Sequence, residues 1–277
     1  MVRSVSMLMD LPSGRVLVTG ALGQIGTELV EALRQKHGYE AVIATDIRKA
    51  EGCQILDVMD KNEVKKLVIE EQITEIYHLA ALLSATGEKN PKLCWDINVT
   101  GLENVIAAAK ENKARIFSPS SIAVFGPDCP KIAPQITPLN PTTVYGKTKV
   151  VGEKLALTSG IDMRGIRYPG LISYKAPAGG GTTDYAVDIY HSAVKNEKFS
   201  CFLNSDTKLP MIFMSDAIRS TIELMQSPIE NIKIRTSYNL AGMSFSPSEI
   251  YNEIKKSYPN FKIEYNSDFR QKIADKW

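Results

Sequence analysis

The chain has 277 residues, of which 44% are hydrophobic, and its formal net charge is +2 at pH 7. These values suit one large α/β domain, or a domain with a smaller lobe, around a substantial core. The balanced charge gives no indication of a nucleic-acid partner, and no apolar run reaches the roughly 18 residues that a membrane span needs. Four scattered cysteines and three histidines lack metal-ligand spacing, so we expect packing thiols in a reducing compartment and no metal site.

Residues 1–13 precede the first apolar run and mix Arg3, Asp10 and serines with short apolar stretches. This composition fits an ordinary N-terminal tail and equally a remnant of an organelle-targeting segment. The cytoplasm and the mitochondrial matrix therefore both stay open as locations.

The first apolar run ends in a glycine-rich turn, because Val16, Leu17 and Val18 lead into Gly20 and then Gly23 and Gly26. A helical pattern begins at once. Glycines at these points permit a tight turn, let backbone N–H groups approach a pyrophosphate, and pack the helix close to the strand. The spacing G-x-x-G-x-x-G predicts a dinucleotide site, with the pyrophosphate held by Gly20, Gly23, Gln24, Ile25 and Gly26.

An acidic residue follows at the spacing that such a site requires. Asp46 ends the next apolar run, 41–45, and lies 20 residues after Gly26. A carboxylate there accepts hydrogen bonds from an adenosine ribose and repels a 2′-phosphate, so NAD is favoured over NADP. Arg48, two residues later, weakens that preference slightly.

Strand and helix patterns alternate as far as residue 170, which predicts a Rossmann-type, doubly wound parallel sheet over 14–170. Ligands would bind beyond the carboxyl ends of its strands. The predicted strands are 15–19, 41–45, 53–57, 75–79, 114–118 and 162–168. The predicted helices are 24–37, 60–71, 90–112 and 144–157.

The rhythm changes after residue 171, and we expect 171–277 to form a smaller mixed α/β lobe over the cofactor, partly interleaved with the first domain. This lobe begins with a loop rich in proline and glycine, 176–183, which is either a mobile lid or a plain connector. Ser246 and Glu249 form a capping box with Pro247 at the first helical position. The predicted elements are helices 184–196, 215–226, 247–257 and 268–275 and strands 211–214 and 236–240.

Tyr145 and Lys149 share one face near the start of a helix, because four residues separate them. A lysine ammonium beside a phenol favours the phenolate and would lower a pKa that is about 10 in a free side chain. The spacing alone is not specific, since Tyr251 and Lys255 also satisfy it. Context favours the first pair, which follows the strand that leads to Ser121 within the same series as the glycine turn.

Six motifs, kept in order over 15–170, make the chain resemble the extended short-chain dehydrogenase/reductases, the group that includes UDP-glucose 4-epimerase. They are the glycine turn at 20–26, His78-Leu79-Ala80-Ala81, Asn98 within 97–101, Ser121, Tyr145 with Lys149, and Arg167-Tyr168-Pro169-Gly170.

Other stretches are similar to the short-chain L-threonine 3-dehydrogenases, nearly from end to end. They are 83–88 after the fourth strand, 172–175 and 181–187 on either side of the glycine loop, 209–211, and the terminal Trp277.

This resemblance implies an NAD-dependent oxidation of the β-hydroxyl of L-threonine to 2-amino-3-oxobutyrate. Tyr145 would act as the base, Lys149 would hold the nicotinamide ribose and stabilise the phenolate, and Ser121 would hydrogen-bond the reacting oxygen. Ser84 and Thr183 would meet the amino and carboxylate groups of the substrate, with Tyr185 close. Asp184 and Lys175 both remain candidates for a charged anchor. Other cofactor contacts would come from Asp57, Val58, Leu79, Ala80, Ala81, Asn98, Tyr168 and Pro169.

The family also implies a homodimer through the tyrosine helix and the helix at 90–112, and a functional link to a 2-amino-3-oxobutyrate CoA ligase. The predicted helix that carries Tyr145 ends before residues 158–160, about one turn earlier than the family implies. This difference puts the size of that interface in doubt. A sugar-nucleotide epimerase or dehydratase would use the same Tyr-Lys-Ser set. It would need basic residues for a diphosphate, and 176–215 contains lysines but no arginine. A nucleotide-sensing module without catalysis is the third alternative.

Overall fold

The computed structural model describes residues 14–276. The predicted tail at 1–13 and the terminal Trp277 therefore lie outside the described residues. A parallel sheet of six strands, in the order β3-β2-β1-β4-β5-β7, organises the first half of the chain, which is the Rossmann-type arrangement that the alternating pattern predicts. Its strands are β1 (Arg15–Thr19), β2 (Val42–Asp46), β3 (Gln54–Ile55), β4 (Ile73–His78), β5 (Arg115–Phe117) and β7 (Met163–Arg164).

Helices cover both faces of this sheet. The helices of the first half are α1 (Gln24–His37), α2 (Lys61–Glu70), α3 (Ser84–Lys89), α4 (Pro91–Trp95), α5 (Gly101–Asn112) and α6 (Val144–Thr158). Those of the second half are α7 (Tyr185–Val194), α8 (Met214–Gln226), α9 (Pro247–Ser257) and α10 (Phe269–Ala274). None of the described helices is long and apolar enough to cross a membrane.

Alternation along β1 explains why two layers of helix form. Val16 and Val18 pack with Leu29 of α1 in one apolar cluster, whereas Leu17 points to the other face and joins Val105 of α5 in a second cluster. Because successive side chains of a strand point to opposite faces, a strand that is apolar throughout is buried on both sides. The buried run of β1 thus places the glycine turn at the centre of the sheet edge.

The predicted strand at 162–168 is split. β7 stays in the main sheet, whereas β8 (Ile166–Tyr168) joins a second small sheet in the order β12-β8-β6, with β6 (Ser120–Ser121) and β12 (Tyr238–Asn239). Gly165 lies at the division, where a Cβ atom would clash with the Ser237 hydroxyl and lie 2.8 Å from the Ser118 carbonyl oxygen. The chain therefore changes sheets where only glycine fits.

The predicted helix at 90–112 forms, but with a wider turn inside it. Five residues, Asp96–Thr100, adopt a π-helix between α4 and α5. Such turns are rare and often lie near functional sites. Asn98 lies in this segment and is buried.

The second half builds its own core and also returns to the first. α7, α9 and α10 pack around β10 (Phe199–Cys201), β11 (Leu209–Phe213) and β14 (Ile263–Tyr265). β11 also pairs with β9 (Gly170–Ile172) and β13 (Met243–Phe245). The pattern analysis did not predict β10, β13, β14 or α3, because each is short and lacks a clear period.

The boundary at residue 170 is not a clean division. Ala217 and Ile218 of α8 join the apolar cluster around Val16 on the first domain, and β12 pairs with β8. The second half of the chain therefore packs against the first through α8 and β12.

The tyrosine helix ends at Thr158, as short as the sequence indicated. Ser159 caps it, and Gly160 follows with a φ angle of +76°. Glycine adopts this left-handed conformation without strain, so the four residues 159–162 are enough to lead the chain into β7.

Candidate active site

A cleft of about 420 Å³ lies at the carboxyl edge of the main sheet. The glycine turn forms one wall, β6 and α6 form the floor, and the loop 176–183 covers the opposite side. This is where ligands bind in open α/β sheets. From the residues predicted in sequence order, the cleft brings together Gly20, Gly23, Gln24, Ile25, Gly26, Leu79, Ala81, Ser84, Ser121, Tyr145, Lys149, Tyr168, Pro169 and Thr183.

The glycine turn fits a pyrophosphate because side chains are excluded from it. Gly20 has a φ angle of +68°, and a Cβ atom there would lie 2.7 Å from the Ala80 backbone nitrogen; a Cβ at Gly26 would clash with the Gly20 carbonyl oxygen. Gly23 caps α1 without any side-chain hydrogen bond. The free N–H groups at this helix start therefore face the cleft, as a dinucleotide phosphate requires.

Gln24 connects this turn to the lobe. Its side-chain amide donates to the Leu171 carbonyl at 3.2 Å and to the Ser173 hydroxyl at 2.9 Å. The two halves of the cleft are thus tied together beside the phosphate cradle.

Asp46 ends β2 next to the glycine turn, where it accepts hydrogen bonds from the Leu22 backbone N–H at 3.1 Å and the Arg48 Nε at 3.0 Å. Burial acts to raise the pKa of Asp46, but the hydrogen bonds from Arg48 and Leu22 outweigh it and leave the pKa below its ordinary value. The carboxylate is therefore charged at neutral pH and able to hold an adenosine ribose.

Tyr145, Lys149 and Ser121 meet on the floor of the cleft. The Lys149 Nζ lies 5.5 Å from the centre of the Tyr145 ring and donates to the Pro119 carbonyl at 2.9 Å. Ser121 lines the same cleft, and its hydroxyl acts to lower the pKa of Tyr145. The helix start that carries Tyr145 is held by the Thr143 hydroxyl, which accepts from the Gly146 N–H at 3.1 Å.

Burial changes the electrostatics that the sequence alone predicted. Burial raises the pKa of Tyr145 to about 12, against the hydrogen bond from Ser121, which lowers it. Burial also lowers the pKa of Lys149 to about 8. The prediction that the lysine neighbour by itself makes the phenol acidic is therefore wrong for this state of the cleft. Desolvation penalises both charged forms and outweighs their attraction at this separation.

Two buried polar residues near the pair, His78 and Asn98, have structural roles. His78 is buried at the end of β4 with its Nδ1 2.9 Å from the Thr19 hydroxyl, and burial lowers its pKa to about 3. It is thus neutral, as expected for a structural histidine. Asn98 bonds the Leu82 backbone in both directions, at 2.8 and 3.0 Å, and the Thr148 hydroxyl at 3.2 Å.

The end of the cleft near the loop 176–183 is lined by the hydroxyl groups of Ser84, Thr182 and Thr183. The Ser84 hydroxyl lies 3.1 Å from the Thr182 hydroxyl and accepts from the Thr182 N–H at 3.2 Å. Asp184 accepts from the N–H groups of Gly180 and Gly181 at 2.8 and 2.6 Å. Residues 180–182 of the loop are therefore held by Ser84 of α3 and by Asp184 at the start of α7. Sequence reasoning did not single out Thr182, although it lies in the Gly181-Thr182-Thr183 stretch.

Several predicted site residues do not line this cleft. Tyr185 is fully buried in the lobe core, with its hydroxyl donating to the Phe245 carbonyl. Lys175 pairs with Glu31 at 2.5 Å, whereas Asp184 does line the cleft. Ala80 packs against a core cluster. The remaining predicted residues outside the cleft wall are Asp46, Asp57, Val58 and Asn98, although Arg48, which pairs with Asp46, does line the cleft.

The model of the NAD-dependent epimerase/dehydratase family matches residues 16–241 of the chain. This chain belongs to that family. A curated relative, an uncharacterized epimerase/dehydratase from Staphylococcus saprophyticus, is 46% identical over 95% of this chain and 87% of its own length.

Solved structures narrow the likeness within the family. A monomeric L-threonine 3-dehydrogenase from a metagenome is 52% identical, with a TM-score of 0.92, over 95% of this chain and 88% of its own. A GalE-like L-threonine dehydrogenase from Cupriavidus necator in its holo form is 46% identical, with a TM-score of 0.91, over 95% and 89%. This family member is therefore an enzyme of the epimerase/dehydratase type, and its cofactor is NAD.

Proposed function

We propose that the enzyme oxidises the β-hydroxyl of L-threonine to 2-amino-3-oxobutyrate with NAD. The observation that carries the proposal is the shared cleft, in which Tyr145, Lys149 and Ser121 lie between a phosphate cradle and a substrate end lined by hydroxyl groups. The similar structures whose names specify L-threonine dehydrogenases support this choice of substrate.

In the proposed reaction, Tyr145 takes the proton from the β-hydroxyl while Ser121 holds the oxygen by a hydrogen bond. NAD, when bound, would supply the hydride acceptor and a positive charge that acts with Lys149 to offset the burial that raises the pKa of Tyr145. Lys149 would hold the nicotinamide ribose and stabilise the phenolate.

The substrate end suits a small zwitterion. Ser84 and Thr183 would meet the amino and carboxylate groups, and the loop that carries Thr182 closes the cleft over them. Arg48 and Lys149 are the basic residues among the described lining of the cleft, and neither belongs to the loop 176–183. A nucleotide diphosphate would need cations at the substrate end, so this arrangement favours an amino acid.

A direct assay tests the proposal. We expect purified enzyme to form NADH with L-threonine and NAD, with slower turnover of D-threonine and L-serine and weaker use of NADP. UDP-hexoses should give no net NADH. If a UDP-hexose were converted while NAD stayed bound and recycled, the enzyme would be a sugar-nucleotide epimerase, as the name of its curated relative allows. Binding of NAD without turnover of any alcohol would indicate a sensing module.

We also propose that two copies associate through α4, α5 and α6. Leu93, Trp95 and Leu157 are exposed apolar side chains on α4 and α6, and α4 packs directly against α6. Light scattering of wild type and of Leu157→Glu tests this, and a monomer in both would refute it. The proposed link to a 2-amino-3-oxobutyrate CoA ligase rests on the product alone. The curated relative is bacterial, which lends no support to the mitochondrial matrix.

A further inference from the structure

One face of α6 meets three consecutive residues of the strand beneath it. Lys149 donates to the Pro119 carbonyl at 2.9 Å, and Glu153 accepts from the Ser120 hydroxyl at 2.6 Å. Tyr145 faces Ser121 in the cleft, and the Ser121 hydroxyl acts to lower the pKa of Tyr145. The three helix residues are spaced by four and so share one face. The first and third contacts belong to the proposed chemistry, whereas the middle one does not.

Glu153 is buried, with only 4% of its surface exposed, and so is Arg167. Arg167 binds both carboxylate oxygens, through Nε at 2.8 Å and Nη2 at 2.7 Å. A bidentate pair of this kind has a defined geometry as well as a strong attraction. The carboxylate that receives the Ser120 hydroxyl is therefore held in one orientation.

Arg167 is fixed in turn by two other segments of the chain. Its Nη1 donates to the Gln135 carbonyl and to the Asn239 Oδ1, both at 3.0 Å. The Gln135 side chain bonds the Ser237 carbonyl and the Asn239 N–H, both at 2.8 Å. Glu153 is thus connected to β8, to β12 and to the loop before α6.

The strand segment and α6 are not close-packed throughout their contact. A small cavity of about 20 Å³ lies on the same side of α6 and is lined by Ser118, Lys149 and Glu153 among others. That space is about the size of one water molecule. The hydrogen bond from Ser120 to Glu153 therefore sets the separation where close packing does not.

We propose that Glu153, braced by Arg167, is a positioning residue that holds Ser120 and so sets Pro119 and Ser121 at their working distances from Lys149 and Tyr145. Glu153 and Arg167 are absent from the wall of the main cleft, so neither meets the substrate. The proposal rests on the proposed function, because it assigns Tyr145 as the base whose surroundings are being set.

The decisive variant is Ser120→Ala, which removes the contact but leaves the buried ion pair intact. Removing Glu153 itself would strand a buried Arg167 charge and endanger folding. Ser120→Thr keeps the hydroxyl and serves as the conservative rescue. Ser159→Ala is the matched control, because the buried hydroxyl of this serine at the end of α6 has no hydrogen-bond partner among the described residues.

We expect Ser120→Ala to lower kcat by about tenfold, since small displacements of a catalytic group are costly, while the KM for NAD is unchanged. The acidic limb of the kcat profile should move to higher pH, because a weaker hydrogen bond from Ser121 leaves the pKa of Tyr145 higher. Ser120→Thr should recover both, and Ser159→Ala should alter neither. Loss of activity only in proportion to unfolded protein, or an unchanged pH profile, would overturn the proposal.

A second readout does not depend on the substrate. The ultraviolet difference titration between each protein and its Tyr145→Phe counterpart, both with NAD, reports ionisation of this one phenol. Ser120→Ala should shift that titration to higher pH, and an unchanged titration refutes the positioning role. If L-threonine is not oxidised but the titration shifts, the proposed substrate fails and the positioning role stands.

Discussion

Two tyrosine–lysine pairs in this enzyme share one spacing and nearly one geometry, yet only one of them lies at a site. The lysine Nζ is 5.5 Å from the ring centre in the pair Tyr145–Lys149 and 5.6 Å in the pair Tyr251–Lys255. A spacing of four residues on a helix produces this contact wherever it occurs. The contact alone therefore carries no chemistry.

The surroundings of the two pairs differ in each respect that matters. Tyr145 is buried at the carboxyl edge of the sheet, in the wall of the cleft. Tyr251 lies on α9 of the lobe, where its hydroxyl donates to the Phe261 carbonyl at 3.2 Å and its ring packs on Phe261. Lys255 is exposed. The first pair thus differs from the second because it faces the cleft at the carboxyl edge of the main sheet.

Removing the two phenols gives the largest expected contrast. Tyr145→Phe should lower kcat by on the order of 10³-fold with NAD binding retained, because the base is lost while the ring still packs. Tyr251→Phe should leave kcat unchanged and cost about 1 kcal/mol of stability through its lost hydrogen bond. Steady-state kinetics, NAD titration and urea unfolding measure these outcomes. Substantial activity in Tyr145→Phe would show that another group is the base.

Replacing the two lysines by methionine keeps each apolar stem and removes each charge. Lys149→Met should lower kcat/KM by on the order of 10²-fold, because the phenolate loses its neighbouring cation. Lys255→Met should have no effect on kcat/KM, since this ammonium is in water. Equal effects at the two positions would contradict the distinction between the pairs.

The pH dependence sharpens the comparison, because burial shifts the pKa values of the first pair. Tyr145 must lose a proton and its pKa is raised, so kcat/KM should rise with pH, by up to about tenfold per unit between about pH 6 and pH 8. Above the Lys149 pKa of about 8 the ammonium is lost and the rise should flatten. Lys255→Met should reproduce the wild-type profile. A flat profile below pH 8 would argue against a buried phenol as the base.

Helix caps give the smallest expected effects. Thr143 caps α6, and Ser246 caps α9 within a capping box, so Thr143→Ala and Ser246→Ala should each cost about 1 kcal/mol in urea unfolding. Only Thr143→Ala should also slow turnover, because Tyr145 lies in the first turn of the helix that Thr143 caps. A loss of kcat in folded Ser246→Ala would mean that α9 contributes to the site.

Local sequence determined much of this enzyme. The apolar run of β1, the glycine spacing after it and Asp46 at the end of β2 predicted the cofactor cradle, since strand period, turn and helix start are encoded within a few residues. The capping box at Ser246 and the shared face of Tyr145 and Lys149 were readable for the same reason.

Only the tertiary structure decided the rest. Ser84 contacts Thr182, which lies 98 positions away in the chain. Tyr185 is buried in the lobe core. Glu153 forms a buried ion pair with Arg167 of β8. The pKa of Tyr145 also depends on the tertiary structure, because segments that are far apart in sequence together bury the phenol and remove it from water. The periodicity of a sequence predicts which face of a helix or strand a residue occupies. Only the tertiary structure determines which other segments that face contacts.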